Sequence, residues 1–202
     1  MDRLAFIARC TAIATALTLA APGCGGDDSE SSTSGSTATT TTTTSGTAPT
    51  DSDVVINEIS ASGDDWVELV NRGDAPFDLG DHALADTDMG APKLSEAVRF
   101  PAGTTLAPGE FLLVLADQMT APAGPQTMCL PGGPDTCFHA LWAISAKDGE
   151  RVHLVSPEDE VLADADYPPN AVPLGQTWGR LPDGTGAFAA NAPTPGAANQ
   201  GP

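Results

Sequence analysis

The chain has 202 residues, of which 27 are acidic and 8 are basic, so its formal net charge is −19 at pH 7. A surface this acidic repels nucleic acid and anionic lipid, and it tolerates or attracts cations. Nucleic-acid binding is therefore excluded from the functions that we expect.

The first 23 residues have the pattern of a removed export signal. Arg3 and Arg9 make the start basic, and an apolar run follows from Cys10 to Ala21. That run is too short for a spanning helix, which needs about 20 residues, and small residues follow it. The sequence therefore predicts a signal peptide over residues 1–23.

The residues before Cys24 resemble a lipobox, in which small residues precede a cysteine that is diacylated and becomes the new N-terminus. Ala21 stands where a lipobox usually has leucine. The alternative is a plain signal peptide that leaves Cys24 as a free thiol, which is uncommon in oxidising compartments. We expect an exported lipoprotein that the Cys24 lipid anchors to a bacterial membrane, on the periplasmic side or at the cell surface.

The remaining cysteines form a pair. Cys10 leaves with the signal, and Cys129 and Cys137 bracket a segment rich in glycine and proline. In an exported protein such a pair is most simply a disulfide that closes a loop. A metal site is the alternative, although only His139 lies nearby to complete a shell.

Residues 24–52 are rich in serine and threonine, and they contain no aromatic and no large aliphatic side chain. Such a segment cannot bury enough surface to offset its ordering entropy. We expect it to be a disordered tether between the membrane and the next domain.

Residues 53–199 predict one all-β domain. Short β-rich runs alternate with turns of proline, glycine and aspartate, and no stretch has sustained helical periodicity. This spacing suggests a sandwich or a barrel. The predicted strands are Val54–Ile59, Trp66–Val70, Phe77–Leu79, His82–Leu84, Val98–Phe100, Phe111–Leu115, Arg151–Val155, Val161–Tyr167 and Gln176–Gly179.

Apolar alternation also predicts which side chains face the core, and the proline-rich Ala-Pro-Thr-Pro-Gly tail is expected to run along a sheet edge. The expected inward-facing residues are Trp66, Val67, Leu69, Phe100, Phe111, Leu113, Leu115, Leu154 and Trp178.

Five segments, in order, resemble a bacterial lamin-tail domain. They are VVINEIS, DDWVELVNRGDAPFDLGDHALAD, FPAGTTLAPGEFLLVLAD, GERVHLVSPEDEVLADADY and APTPGAANQ. The resemblance covers almost all of residues 53–199. It implies an immunoglobulin-like β-sandwich, which agrees with the strands expected from the residues themselves.

Two glutamates form the most conspicuous polar pair. If the first two strands make a hairpin centred on Gly63, Glu58 faces Glu68, with Asn57 and Asn71 nearby. Like charges directly opposite each other destabilise a sheet unless something compensates. A bound cation, a shared proton or hydrogen bonds from turn amides are the alternatives, and structural hydrogen bonding is preferred over a metal site.

A second acidic group consists of Asp78, Asp81, Asp86 and Asp88. Asp86 and Asp88 precede Gly90, an arrangement that can coordinate calcium, although the twelve-residue spacing of an EF-hand is missing. Solvated loop charges are the simpler interpretation. No histidine pair has zinc-ligand spacing, and no serine lies in a nucleophile-elbow context, so we expect no catalytic residues.

These features predict a non-catalytic envelope lipoprotein, with no required cofactor, whose lamin-tail-like domain is a binding or structural module. Its expected partner is a protein or glycan of the cell envelope, and it meets the membrane through its lipid only. The alternatives are a calcium-dependent adhesion module, with Glu58, Glu68, Asp86 and Asp88 as tentative ligands, and an accessory domain of an envelope hydrolase.

Overall fold

The computed structural model describes residues 52–202, and this part of the chain is an all-β domain. The predicted signal peptide, Cys24 and the tether up to residue 51 lie outside the described residues. The larger sheet has six strands in the order β10-β9-β2-β1-β13-β14. Its strands are β1 (Val54–Ser60), β2 (Trp66–Asn71), β9 (Phe111–Leu115), β10 (Phe138–His139), β13 (Thr177–Leu181) and β14 (Ala187–Asn191).

A four-stranded sheet, in the order β12-β11-β4-β7, packs against the larger one, and two short ribbons pair β3 with β8 and β5 with β6. The remaining strands are β3 (Phe77–Asp78), β4 (Ala83–Ala85), β5 (Thr87–Asp88), β6 (Ala91–Pro92), β7 (Val98–Arg99), β8 (Thr105–Leu106), β11 (Glu150–Val155) and β12 (Val161–Tyr167). A single 3-10 turn, Leu94–Glu96, is the one helical element described. The expected immunoglobulin-like β-sandwich is confirmed.

The space between the two sheets is filled by one apolar core. Val67 and Leu69 of β2 and Leu154 of β11 are fully buried in it. The rings of Phe100 and Phe138 meet edge to face, with 5.0 Å between centroids. These contacts exclude water between the sheets, which is the main driving force for the fold.

A second apolar cluster lies on the opposite, outer face of the larger sheet. Trp66, Leu113 and Leu115 pack there with Cys137. The expectation that these three side chains face the main core is therefore wrong. Successive side chains of a strand point to opposite faces, and here the outer face is covered too, so both sets of alternating residues are apolar. Phe111 and Trp178 are half-buried against the main core.

The predicted β1–β2 hairpin is confirmed, including its register. Glu58 lies opposite Glu68, and the register shifts between Ile56 and Glu58. That β-bulge makes Asn57 the extra residue of β1, and it bends the strand at this point.

The C-terminal segment, residues 192–200, crosses the outer face of the larger sheet. It donates hydrogen bonds to side chains of β1 and β2, which are central strands. The expectation that this segment runs along a sheet edge is therefore wrong. Its prolines are tolerated because its amides bond to side chains and need no ladder partner.

Candidate functional site

The carboxylate cluster, which we define as Glu58, Glu68 and Asp183, lies on the outer face of the larger sheet. Glu58 and Glu68 are fully buried although they stand opposite each other. Asp183 follows the end of β13, close to Asn57 at the bulge. Two buried glutamates and the partly buried Asp183 therefore lie under the C-terminal segment, where unpaired burial would be costly.

Glu58 is held by two threonines. The Thr194 hydroxyl lies 2.9 Å from Glu58 Oε2, and the Thr194 amide donates to Oε1 at 3.4 Å. The Thr177 hydroxyl, on β13, also donates to Oε1. Both oxygens of Glu58 therefore have partners within the domain.

Glu68 and Asp183 are linked through Asn57. Its Nδ2 donates to Glu68 Oε1 at 3.1 Å and to Asp183 Oδ1 at 2.9 Å. The amide of Gly196 donates to Glu68 Oε2 at 2.6 Å, and the amide of Asn199 donates to Asp183 Oδ1 at 3.0 Å. Each acidic side chain of the carboxylate cluster thus accepts a backbone hydrogen bond from the C-terminal segment.

Burial raises the pKa of both glutamates, so they are weaker acids than an exposed glutamate. Desolvation raises the pKa of Glu68 to about 8, against the opposing effect of its hydrogen bonds from Asn57 and Gly196. Desolvation also raises the pKa of Glu58, against the hydrogen bonds from Thr177 and Thr194. At neutral pH the cluster therefore carries less negative charge than its three carboxyl groups suggest.

Hydrogen-bond geometry gives independent support for a proton on Glu58. The Thr194 hydroxyl lies 2.9 Å from Glu58 Oε2 and 3.0 Å from Asn199 Oδ1, but it has one hydrogen to donate. The Asn199 amide cannot be reversed, since its Nδ2 donates to the carbonyls of Asn57 and Arg180. A proton on Glu58 Oε2 would satisfy both contacts.

Gly179 of β13 provides the space for these polar groups. A Cβ atom there would lie 2.4 Å from Asn191 Nδ2 and 2.8 Å from Asn199 Nδ2. Glu58 Cγ would be 3.1 Å away. The cluster therefore requires a strand residue without a side chain at this position.

The predicted disulfide joins Cys129 and Cys137. The loop that it closes lies beside the C-terminal segment, since a Cβ on Gly196 would meet Pro134 Cδ at 2.9 Å. Leu130 of the loop packs against the second apolar cluster. The loop and the C-terminal segment together cover the outer face of the larger sheet.

The predicted calcium ligands occupy two unrelated environments. Asp86 and Asp88 lie at the β5–β6 ribbon, where Lys93 acts to lower the pKa of Asp86 while burial raises it by more. Within residues 52–202, no three His, Cys, Asp or Glu side chains gather closely enough to hold a metal ion. Calcium binding by either pair therefore stays a prediction.

The three histidines lie in separate places. His82 Nδ1 contacts the Gly80 carbonyl at 3.1 Å, and His139 Nε2 contacts the Met128 carbonyl at 3.1 Å. His153 is buried on β11, and burial lowers its pKa. Its Nε2 lies 3.0 Å from the Thr87 hydroxyl, which donates to the Arg151 carbonyl at 2.6 Å.

A family model described as Lamin Tail Domain matches residues 47–169. The chain belongs to the lamin tail domain family. The match ends after β12, although β13, β14 and the C-terminal segment complete the larger sheet and its outer cover. No curated protein matches the sequence. Within the described residues, no helix has the length and apolar character needed to cross a bilayer.

Several residues of the site could not be inferred from the sequence pattern. Asn57, Glu58 and Glu68 were expected together, but Asp183, Thr177 and the three donors of the C-terminal segment were not. The available signal was the APTPGAANQ motif, whose threonine, glycine and final asparagine supply those donors.

Proposed function

We propose that this lamin tail protein is a non-catalytic lipoprotein of a bacterial cell envelope, whose β-sandwich serves as a binding or structural module. A compact immunoglobulin-like fold of this family is compatible with such a role. The observation that carries the proposal is that the carboxylate cluster accepts its hydrogen bonds from within the domain. Both carboxylate oxygens of Glu58 and of Glu68 bond to the domain's own amides and hydroxyls, which leaves these two groups no free position to act on a substrate.

The proposed localisation at a membrane rests on the first 24 residues. A basic start, a short apolar stretch and small residues before Cys24 support export followed by lipidation. Cells that express the chain should incorporate an alkyne fatty acid into it and retain it in the membrane fraction. The Cys24→Ser variant should lose both properties. Equal labelling of the variant and the parent would contradict lipidation at this residue.

The proposed binding role is tested by cross-linking in intact cells, followed by capture of the full chain. We expect one envelope protein or glycan to be recovered with the parent chain. The same component should be depleted with Cys24→Ser, because this variant lacks the lipid anchor. Recovery of no component above the untagged control would contradict a binding role. Turnover in a screen of ester, phosphoester and glycoside substrates would contradict the non-catalytic assignment.

A calcium-dependent adhesion module is the second candidate, and one observation favours it. Asp86 is buried, and its Oδ1 has no hydrogen-bond partner among the described residues. Thermal melts with EDTA and with millimolar calcium should differ if a carboxylate oxygen at this ribbon binds calcium. Identical melts for the parent and Asp86→Asn in both conditions would remove this candidate.

A further inference from the structure

The start of β9 has an open edge. Asn71 N donates to Glu110 O at 3.2 Å, and Ala116 N donates to Asp65 O at 2.8 Å. The even-numbered residues that flank β9, Glu110 and Ala116, therefore bond to the chain at the two ends of β2. Because hydrogen-bonding direction alternates along an antiparallel strand, Phe111 turns its N–H and C=O away from β2.

The neighbouring strand β10 does not cover this position. It pairs in parallel with Val114 and Leu115 only. Just before β10, the N–H and the C=O of Cys137 both bond to Gln126 and not to β9. In the part of the chain that the structure describes, no strand lies on the outer side of Phe111, which leaves its peptide groups free to bind.

This open edge lies in a cleft of about 510 Å³, which we name the edge cleft. Phe111 and Leu112 form one side of it, and the loop 101–106 forms another. Pro134 and Thr136 of the disulfide loop complete the lining on the third side. The edge cleft is therefore concave around a strand edge, with apolar surface and hydroxyl groups close to the free peptide groups.

Charge restricts which peptide fits. Glu110 is the one charged residue among those that line the edge cleft, and its Oε2 accepts a hydrogen bond from Ala107 N at 2.7 Å. Residues 52–202 contain 22 acidic and 6 basic side chains, a formal charge of −16. This field attracts cationic segments, and it repels acidic peptides and a second copy of the chain.

We propose that the edge cleft binds an extended cationic peptide, which adds to the larger sheet as a short strand beside Phe111. In this mode main-chain hydrogen bonds hold the peptide, and alternate side chains provide selectivity. The proposal rests on the binding role proposed above and supplies the chemistry of the partner. Lysine or arginine side chains of the peptide would lie near Glu110, and its apolar side chains would contact Phe111 and Leu112.

Amide exchange in the free protein is the first test. The N–H of Phe111 should exchange faster than the N–H of Leu112, which bonds to β2 and serves as the internal control. Addition of a synthetic peptide of alternating lysine, valine and threonine should slow exchange at Phe111 and shift its amide resonance. A glutamate-for-lysine version of the peptide should have no effect.

Substitutions at exposed Thr105, in the edge cleft, test the charge argument. Thr105→Lys should weaken binding of the lysine peptide by about tenfold, and Thr105→Glu should strengthen it. Met119→Lys, at a position that is 99% exposed outside the lining, is the matched control and should change affinity little.

The outcomes separate this inference from the binding role in general. Saturating lysine peptide with no change at Phe111, or changes confined to another sheet edge such as β14, would overturn the edge-cleft proposal. Recovery of an envelope component by cross-linking would still support the binding role in that case. Equal affinity of Thr105→Lys and Met119→Lys would also overturn the edge-cleft proposal.

Discussion

Both faces of the larger sheet carry buried side chains, but different interactions stabilise the buried groups on each face. On the inner face, Leu69 is fully buried in the apolar core between the two sheets. On the outer face its neighbour Glu68 is equally buried, and it depends on hydrogen bonds from Asn57 and Gly196. Packing tolerates small shifts of position, whereas a buried carboxyl group requires particular donors.

The largest difference between the faces should appear in the response to pH. The pKa of Glu68 is about 8 in the folded chain because burial penalises its charged form. Between the ordinary glutamate pKa of 4.5 and about 8, the folded chain holds a proton that the unfolded chain releases. Raising the pH across this window therefore lowers the free energy of unfolding, by on the order of 4 kcal/mol.

Urea unfolding at pH 5 and pH 9 measures this effect, with Glu68→Gln as the variant that cannot ionise. We expect a clear loss of stability from pH 5 to pH 9 in the parent and a much smaller loss in Glu68→Gln. The same pH dependence in both proteins would show that Glu68 does not hold a proton in the fold.

On the inner face, Leu69→Ala should cost about 3 kcal/mol at any pH, since it removes buried methyl groups and leaves a cavity. The unfolding midpoint of this variant, measured at pH 5 and pH 9, should fall by similar amounts. A strongly pH-dependent loss would contradict the separation of the two faces.

Loss of the disulfide should weaken the outer face more than the main core. The double variant Cys129→Ser with Cys137→Ser should be less stable by about 2–3 kcal/mol, because an eight-residue separation closes a small ring. Hydrogen exchange should speed up at Trp66 and Leu115, whose side chains pack with Cys137. An equal increase in exchange at Leu154, in the main core, would indicate instead that both faces depend equally on the disulfide.

The smallest effect is expected at Thr194. Thr194→Val keeps the shape and removes the hydroxyl, so it should destabilise by about 1 kcal/mol. It should also raise the pKa of Glu58 further, because the hydrogen bond that Thr194 donates to the ionised carboxylate is stronger than the one that it accepts from the protonated group. Thr194→Ser, which retains the hydroxyl, is the control, and carboxyl NMR titration of both variants reports the pKa. A lower pKa of Glu58 in the valine variant would contradict this.

The part of the fold that followed from the sequence is local. The pairing of Glu58 with Glu68 was predictable, because Gly63 lies midway between them and the flanking residues favour strands. The disulfide was predictable from the spacing of Cys129 and Cys137 and the turn residues between them. In each case a few neighbouring residues determine the geometry.

What the sequence could not show is the cover of the outer face. The contacts of Glu58 with Thr194 and of Glu68 with Gly196 join residues 136 and 128 positions apart. No periodicity within a strand encodes such a distant partner. The strand β14 was missed for a related reason: its alanines have low β-propensity, and pairing with β13 determines its structure.

The C-terminal segment also has a consequence for the order of events during synthesis. Its donors at Thr194, Gly196 and Asn199 leave the ribosome more than a hundred residues after the glutamates that they cover. Until then β1 and β2 expose carboxyl groups that water keeps ionised, and the outer layer cannot form. Completion of the native state is therefore delayed until residue 199 has emerged.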